Sequence, residues 1–302
     1  MSSLKSLENE SLSIISETLK HAENPLVLYS IGKDSSVLLH LFRKLFYPST
    51  IPIKFLHIDT GWKFNSMIKF RDEISKKYSL NMEVYKKENI KSVTPFNNEK
   101  YTDIQKTQAL KEALNLGSYD IVYGGARRDE EVSRSKERVV SHRNEYHSWD
   151  PKKQRVEPWL IFNLEKLKNE SFRVFPLSNW TELNVWEYIK KENIEIVPLY
   201  FAKKRKVVER NSQLFLLDDD RFDLKDSDIV SEKIVRFRTL GCYPLTAGIE
   251  SNADSLTKII NELKNDNSSE RSGRLIDKDK EGSMELKKRE GYFWKILTLQ
   301  KF

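Results

Sequence analysis

Ser30-Ile31-Gly32-Lys33-Asp34-Ser35 joins two apolar runs through a short turn, and its residue types suit an anion. If a strand ends before this turn and a helix begins within it, the helix start presents unpaired N–H groups and a partial positive charge. Gly32 allows close backbone approach, Ser30 and Ser35 supply hydroxyls, and Lys33 adds a cation. Asp34 can cap the helix or help hold a metal. A plain Asp cap on a tight turn would use the same residues. The common phosphate loop is excluded, because Val27 and Asp34 stand where its first glycine and its Ser/Thr belong. The three spaced glycines of a dinucleotide fingerprint are missing too.

Two further segments carry candidate chemistry. In "HIDTGW", Asp59, Thr60 and Gly61 follow a second apolar run and can border a nucleotide or cap a helix. In "GGARRDEEVSRSKER", Gly124 and Gly125 would let the chain pass close to a ligand, while the planar forks of Arg127, Arg128 and Arg134 suit oxyanions. Alternating charge on a solvated helix is the competing account, and it covers Glu131, Lys136, Glu137 and Arg138. Asp129 and Glu130 can reach magnesium or pair with the arginines. His142 and His147 lack the spacing of a helical metal pair, which favours structural or ligand-shell roles. Trp149, Trp159, Trp180 and Trp186 are expected to fill core or interface. The basic run 202–210 is expected to be a solvated face or a partner surface.

Positioning these residues takes a scaffold. Leu26–Tyr29, Ile53–Ile58, Met82–Tyr85 and Asp120–Tyr123 are short apolar or β-branched runs of the kind buried parallel strands need. Helical apolar spacing lies between them, at Val37, Leu38, Leu41, Phe42 and Leu45 and again at Phe64, Met67, Ile68, Ile74 and Tyr78. A further amphipathic helix is expected over residues 4–22, a strand over Phe172–Leu177, and a helix capped by Thr181. The alternation predicts an α/β fold with a doubly wound, mainly parallel sheet, whose ligand lies beyond the strands' carboxyl ends. The arginine-rich stretch from Gly125 to about Glu157 is too long for a simple connection and is expected to be functional or partly ordered on a ligand. From about residue 265 the chain is polar and poor in apolar residues, and is expected to be mobile unless bound. The domain division expected is 1–215 for the α/β unit and 216–302 for a C-terminal region that completes the site or meets a partner.

Composition sets outer bounds. The chain has 302 residues, 38% of them hydrophobic, enough for one substantial core. Fifty-two Lys and Arg against 45 Asp and Glu leave a formal charge of +7, which favours anionic partners, phosphorylated small molecules ahead of nucleic acid. Cys242 is the single cysteine, which excludes an internal disulfide or a Cys-only metal cage. Without a signal-like start or an 18-residue apolar stretch, a cytoplasmic protein with no membrane association is expected.

The Ser-x-Gly-Lys-Asp-Ser turn resembles the pyrophosphate-binding loop of the N-type ATP pyrophosphatases. "FLHIDTGWKF" (55–64), "YGGARRDEEVSRSKER" (123–138), "YHSWDPKKQRVEPW" (146–159), "FPLSNWTELNVWEYI" (175–189), "RFRTLGCYPLT" (236–246) and "GSMELKKREGYF" (282–293) are similar, in the same order, to the small-subunit family of the sulfate adenylyltransferases. That resemblance implies conversion of ATP and sulfate to adenylyl sulfate and pyrophosphate, with Mg2+ accompanying the nucleotide and no iron–sulfur cluster. It implies that Ser30, Gly32, Lys33, Asp34 and Ser35 hold the β and γ phosphates, and that Asp59, Gly61 and Gly125 border the nucleotide. Lys33, Asp34, Arg127 and Arg128 would be catalytic, with Arg127, Arg128 and Arg134 as sulfate-binding candidates. It also implies a larger GTPase subunit, because the phosphosulfate anhydride is unfavourable to form and this chain carries no GTPase motif.

Rival functions lack their residues. Reductases of adenylyl sulfate or its phosphorylated form share the loop, but the thiol-dependent ones resemble one another in a C-terminal Glu-Cys-Gly, and the iron–sulfur ones need several cysteines. Here Cys242 stands alone and reads as a packing residue. Thiolating tRNA-modifying enzymes resemble one another in paired cysteines, and the basic excess is modest for RNA. A non-catalytic scaffold would bind no ATP.

Overall fold

A computed structural model describes residues 3–87, 94–96, 101, 103–265 and 270 of the chain. The N-terminal helix α1 (Leu4–Leu19) starts at Ser3, whose hydroxyl accepts the N–H of Ser6, and it buries Leu7, Ile14 and Ile15. Then follow β1 (Pro25–Leu28), α2 (Lys33–Phe46), β2 (Lys54–Ile58), α3 (Asn65–Lys77), β3 (Asn81–Tyr85), α4 (Ala109–Gly117) and β4 (Ile121–Tyr123). Leu26, Val27, Phe55, Ile121 and Val122 are all buried, as residues covered on both faces of a parallel sheet must be. The helices cover those faces through the expected stripes, with Val37, Leu38, Leu41 and Phe42 of α2 fully buried.

The arginine-rich stretch is more regular than its composition suggests. It holds a 3-10 turn (Arg128–Glu130), the short helix α5 (Val132–Ser135) and the strand β5 (Val140–Arg143). β5 runs antiparallel to β6 (Ser171–Val174) and forms the sheet's edge. The Glu157 carboxylate accepts the N–H groups of Val139 and Val140 at 3.1 and 2.6 Å, and Gln154 accepts that of His142 at 3.0 Å. The stretch is therefore ordered by its own polar side chains, which also cover a strand edge that would otherwise stay unpaired.

The helix α6 (Glu182–Glu192) begins, as expected, at Thr181, in a capping box closed by Asn184. Beyond it lies a second sheet with no counterpart in the sequence reading, built from β7 (Lys203–Arg210), β8 (Gln213–Leu216), β9 (Val230–Arg236) and β10 (Ile249–Glu250). It is antiparallel, in the order β10-β9-β7-β8, and it joins residues on both sides of position 215. The basic run 202–210 is thus an exposed strand: Lys203, Lys204 and Lys206 face solvent while Val207 and Val208 enter the core. The last described helix is α7 (Leu256–Asn265), which buries Ile259 and Ile260. Residues 266–302, apart from Glu270, lie outside the described residues, so the expectation for that stretch falls largely there. Among the described residues, no helix is long and apolar enough to cross a membrane.

The main sheet has the order β3-β2-β1-β4-β6-β5, parallel except at β5. The chain winds outward from β1 through β2 to β3, then crosses back to place β4 on the other side of β1. In open α/β sheets such a reversal marks the place, at the strands' carboxyl ends, where a ligand crevice forms. The two connections bordering it are residues 29–32 and 124–127.

Candidate active site

The turn after β1 is held in a shape its sequence does not favour. Ile31, a buried β-branched residue, sits at φ 69°, in the left-handed region where such side chains are rarely found. Gly32 has an ordinary φ of −76° and is the N-cap of α2, so Asp34 lies inside the first turn rather than capping it. The Lys33 N–H donates to the Tyr200 hydroxyl at 2.8 Å, and the Ser35 hydroxyl donates to the Gly32 carbonyl at 2.8 Å. The Ser30 and Ser35 hydroxyls are 3.3 Å apart. Beneath the turn, His57 Nδ1 donates to the Tyr29 carbonyl at 2.8 Å and ties the end of β1 to β2. The His57 Nε2 is buried without a hydrogen-bond partner, and burial, reinforced by nearby Lys63, pushes the ring's pKa down to about 4.

From the β4 side, Gly125 lies against the start of α2. A Cβ there would stand 3.1 Å from the Asp34 carbonyl carbon and 3.2 Å from the Ser35 nitrogen, backbone atoms with little room to yield. Two residues on, the Arg127 side chain is fully buried, 0% exposed. Its Nε donates to Asp34 Oδ1 at 2.6 Å and its Nη2 donates to the Glu270 carboxylate. Nη1 makes no hydrogen bond and stands 3.5 Å from the Asp129 carboxylate, an ion pair. Lys33 Nζ donates to Asp34 Oδ2 at 3.0 Å and also to Glu270. Two cations and two carboxylates thus form a closed ring at the crevice.

Electrostatics fix the charge state of that ring. Burial opposes the Lys33 ammonium, but the Asp34 and Glu270 carboxylates outweigh it and raise its pKa. The same contest ends the same way for Arg127. Burial works against the Asp34 carboxylate as well, yet Arg127 and Lys33 hold its pKa at about 2. All three stay charged at neutral pH, so two buried cations, each paired with carboxylates, stand at the N-terminus of α2.

The remaining sequence candidates divide. Asp59 accepts the Gly61 N–H at 2.8 Å in a local turn, with Gly61 at φ 71°, while α3 takes Phe64 as its N-cap, so Asp59 is a turn former rather than a helix cap. Arg221 donates to the carbonyls of Gly61 and Lys63 at 2.9 and 2.8 Å, fastening this turn to the chain after β8. Arg128 Nη1 donates to Asn179 at 2.6 Å and is not joined to the ring. Arg134 lies 3.3 Å from Glu131 and 3.4 Å from Glu137. Glu137, expected to be solvated, is buried and paired with Arg143. Asp129 accepts the Glu182 N–H at 3.0 Å, at the start of α6. His142 lies 3.0 Å from Glu170 and His147 bonds to Asn115 at 2.8 Å, both structural contacts. Trp149, Trp180 and Trp186 fill the core as expected, but Trp159 is 91% exposed on a backbone at φ 50°. Among the described residues, no three His, Cys, Asp or Glu side chains gather as a metal cage.

Tyr200 and Glu270 were not anticipated. Each reaches Lys33 across a large sequence separation, 167 and 237 positions, and neither sits in a motif that would announce it.

Residues 24–248 match the family model of the phosphoadenosine phosphosulfate reductase domain. Over 294 residues the chain is 58% identical to "Sulfate adenylyltransferase subunit 2" of Vibrio vulnificus (strain YJ016), covering 96% of this chain and 97% of that one. It is 55% identical to the protein of the same name from Zymomonas mobilis subsp. mobilis, with the same coverage. Among solved structures, a Candida glabrata FMN adenylyltransferase complexed with FMN and an ATP analogue aligns at TM-score 0.49 and 16% identity, covering 90% of this chain and 88% of that one.

Proposed function

Because the chain belongs to the sulfate adenylyltransferase subunit 2 family, within the phosphoadenosine phosphosulfate reductase domain family, we propose that the ring at the β1/β4 crevice carries out adenylyl transfer from ATP to sulfate. A sulfate oxygen attacks the α-phosphorus in line, the α–β phosphoanhydride bond breaks, and pyrophosphate leaves. The protein contributes position and charge rather than covalent chemistry. Ser30, Gly32, Lys33, Asp34 and Ser35 hold the β and γ phosphates, with Gly125 lining the crevice and the 59–61 turn on the nucleoside side. Arg127 stabilises the charge that develops around the α-phosphate and the incoming sulfate. The observation that carries this assignment is the fully buried Arg127 fork, its Nη1 making no hydrogen bond, set beside Lys33 at a helix start. Arg128 and Arg134, engaged with Asn179 and with Glu131 and Glu137, take supporting roles around the crevice.

Mg2+ fits this donor set. The ion keeps most of its waters and binds through phosphates and one or two carboxylates, and Asp34 presents a carboxylate that is 24% exposed at the phosphate site. When bound it would neutralise phosphate charge.

A partner follows from the chemistry. The relatives bear the name "subunit 2", and a phosphosulfate anhydride needs an external driving reaction. We assign that role to a larger GTPase subunit, with the complex acting in the cytoplasm on the first step of sulfate activation. The test is to co-express the chain with a candidate GTPase, supply Mg2+, ATP and GTP, and measure pyrophosphate with and without sulfate. Sulfate-dependent release with adenylyl sulfate formed is the expected outcome. Release indifferent to sulfate would overturn the substrate assignment.

A further inference from the structure

We infer that Glu270 is a resident anion, its carboxylate occupying the oxyanion subsite formed by Lys33 Nζ and the Arg127 guanidinium, and that an incoming phosphoryl or sulfate group must displace it. This rests on the assignment of the β1/β4 crevice as the phosphate site. Three observations carry it. One Glu270 oxygen accepts from Lys33 Nζ and the other from Arg127 Nη2, a two-point bridge of the kind a tetrahedral oxyanion makes with the same donors. Its side chain is only 7% exposed, so the bridge seals the cations from water rather than lying over them at the surface. And the charges close: Lys33 and Arg127 are balanced by Asp34 and Glu270, so an added anion would place like charges together unless one carboxylate leaves.

Of the two carboxylates, Glu270 is the one suited to leave. Asp34 is fixed to the first turn of α2 and is joined to the same cations along the chain's own loop. Glu270 comes from the part of the chain after α7, and its carboxylate accepts from the two cations themselves. Exchange of one anion for another leaves both cations paired throughout, which avoids exposing an uncompensated buried charge. It also makes occupancy of the site depend on the anion's ability to outcompete a tethered carboxylate, a demand that multivalent pyrophosphate meets better than a monovalent ion.

The experiment is isothermal titration of the full chain and of Glu270→Gln and Glu270→Ala, with inorganic pyrophosphate, inorganic sulfate and ATP as separate probes. If the carboxylate is seated about nine-tenths of the time, removing its charge tightens the displaced anion about tenfold. The anion that tightens, pyrophosphate or sulfate, identifies which one shares the subsite. Unchanged or weaker binding of both anions in the variants overturns the proposal; weaker binding would show that Glu270 positions the cations instead. If ATP still binds in that case, the crevice assignment stands. If the parent chain and both variants bind none of the three probes, the crevice assignment falls with it. Melting curves check folding, and Glu270→Gln, which keeps the side chain's shape, carries the measurement if Glu270→Ala is unstable.

Discussion

Two groups of ion pairs in this protein use the same residue types to opposite ends. On the second sheet, Lys204 pairs with Glu232 at 2.6 Å, and Lys233 bridges Glu250 at 2.6 Å and Glu209 at 3.1 Å. These side chains are partly to mostly exposed, from 31 to 69%, so water competes for the charges. At the crevice, Lys33, Asp34, Arg127 and Glu270 are largely removed from water, and each charge is paired with an opposite one. The surface ladder tolerates the loss of a member. In the ring, loss of a cation would leave buried carboxylates facing one another with less to balance them.

Replacing Arg127 with alanine should separate the two groups most sharply. It leaves Asp34 and Glu270 facing one another with a single cation, so sulfate-dependent pyrophosphate release should fall by about 10³-fold or more, and stability by about 3 kcal/mol in urea unfolding. Stability and activity both close to the parent's would erase the distinction. Gly125→Ala should cost about 10²-fold in the same assay, because its Cβ presses on the Asp34 and Ser35 backbone. Full activity would mean that the contact yields.

A smaller effect should appear with pH. His57, its pKa lowered to about 4 by burial, stays neutral in the folded chain while the unfolded ring protonates near its ordinary 6.5. The unfolded state therefore binds more protons between those values, so stability present above about pH 6.5 is lost as pH falls toward 4, by up to about 3 kcal/mol. Denaturant titrations at stepped pH should give a flatter profile for His57→Asn; identical slopes would count against the assignment. At the other extreme, Lys204→Ala on the exposed ladder should move Tm by no more than about 2 °C and leave adenylyl transfer intact. A shift as large as that of Arg127→Ala would show that exposure does not decide the matter.

The main sheet was readable because buried parallel strands are continuous apolar runs: the expectation of Leu26–Tyr29 meets Pro25–Leu28, and that of Ile53–Ile58 meets Lys54–Ile58. The second sheet was not, because β7 carries four basic residues in its first four positions and its pattern is set by the partner strand, not by local alternation. The same limit applies at the site. Arg127 and Arg128 are neighbours with the same chemistry, but the extended backbone at Arg127, φ −123° and ψ 148°, sends successive side chains to different places. One joins Asp34 and the other joins Asn179. Tyr200 and Glu270 were hidden for a different reason, since their contacts exist only once distant parts of the chain have been brought together.

The left-handed backbone at Ile31 has a consequence for timing. A glycine would adopt φ 69° freely but would also wander among other conformations until phosphates arrived. The isoleucine is locked by the packing of its buried side chain, so the loop's ordering is completed during folding and little conformational entropy is left to lose when a nucleotide docks. On the proposed assignment, this turn offers phosphates a template already shaped by folding rather than one that must find its shape on docking.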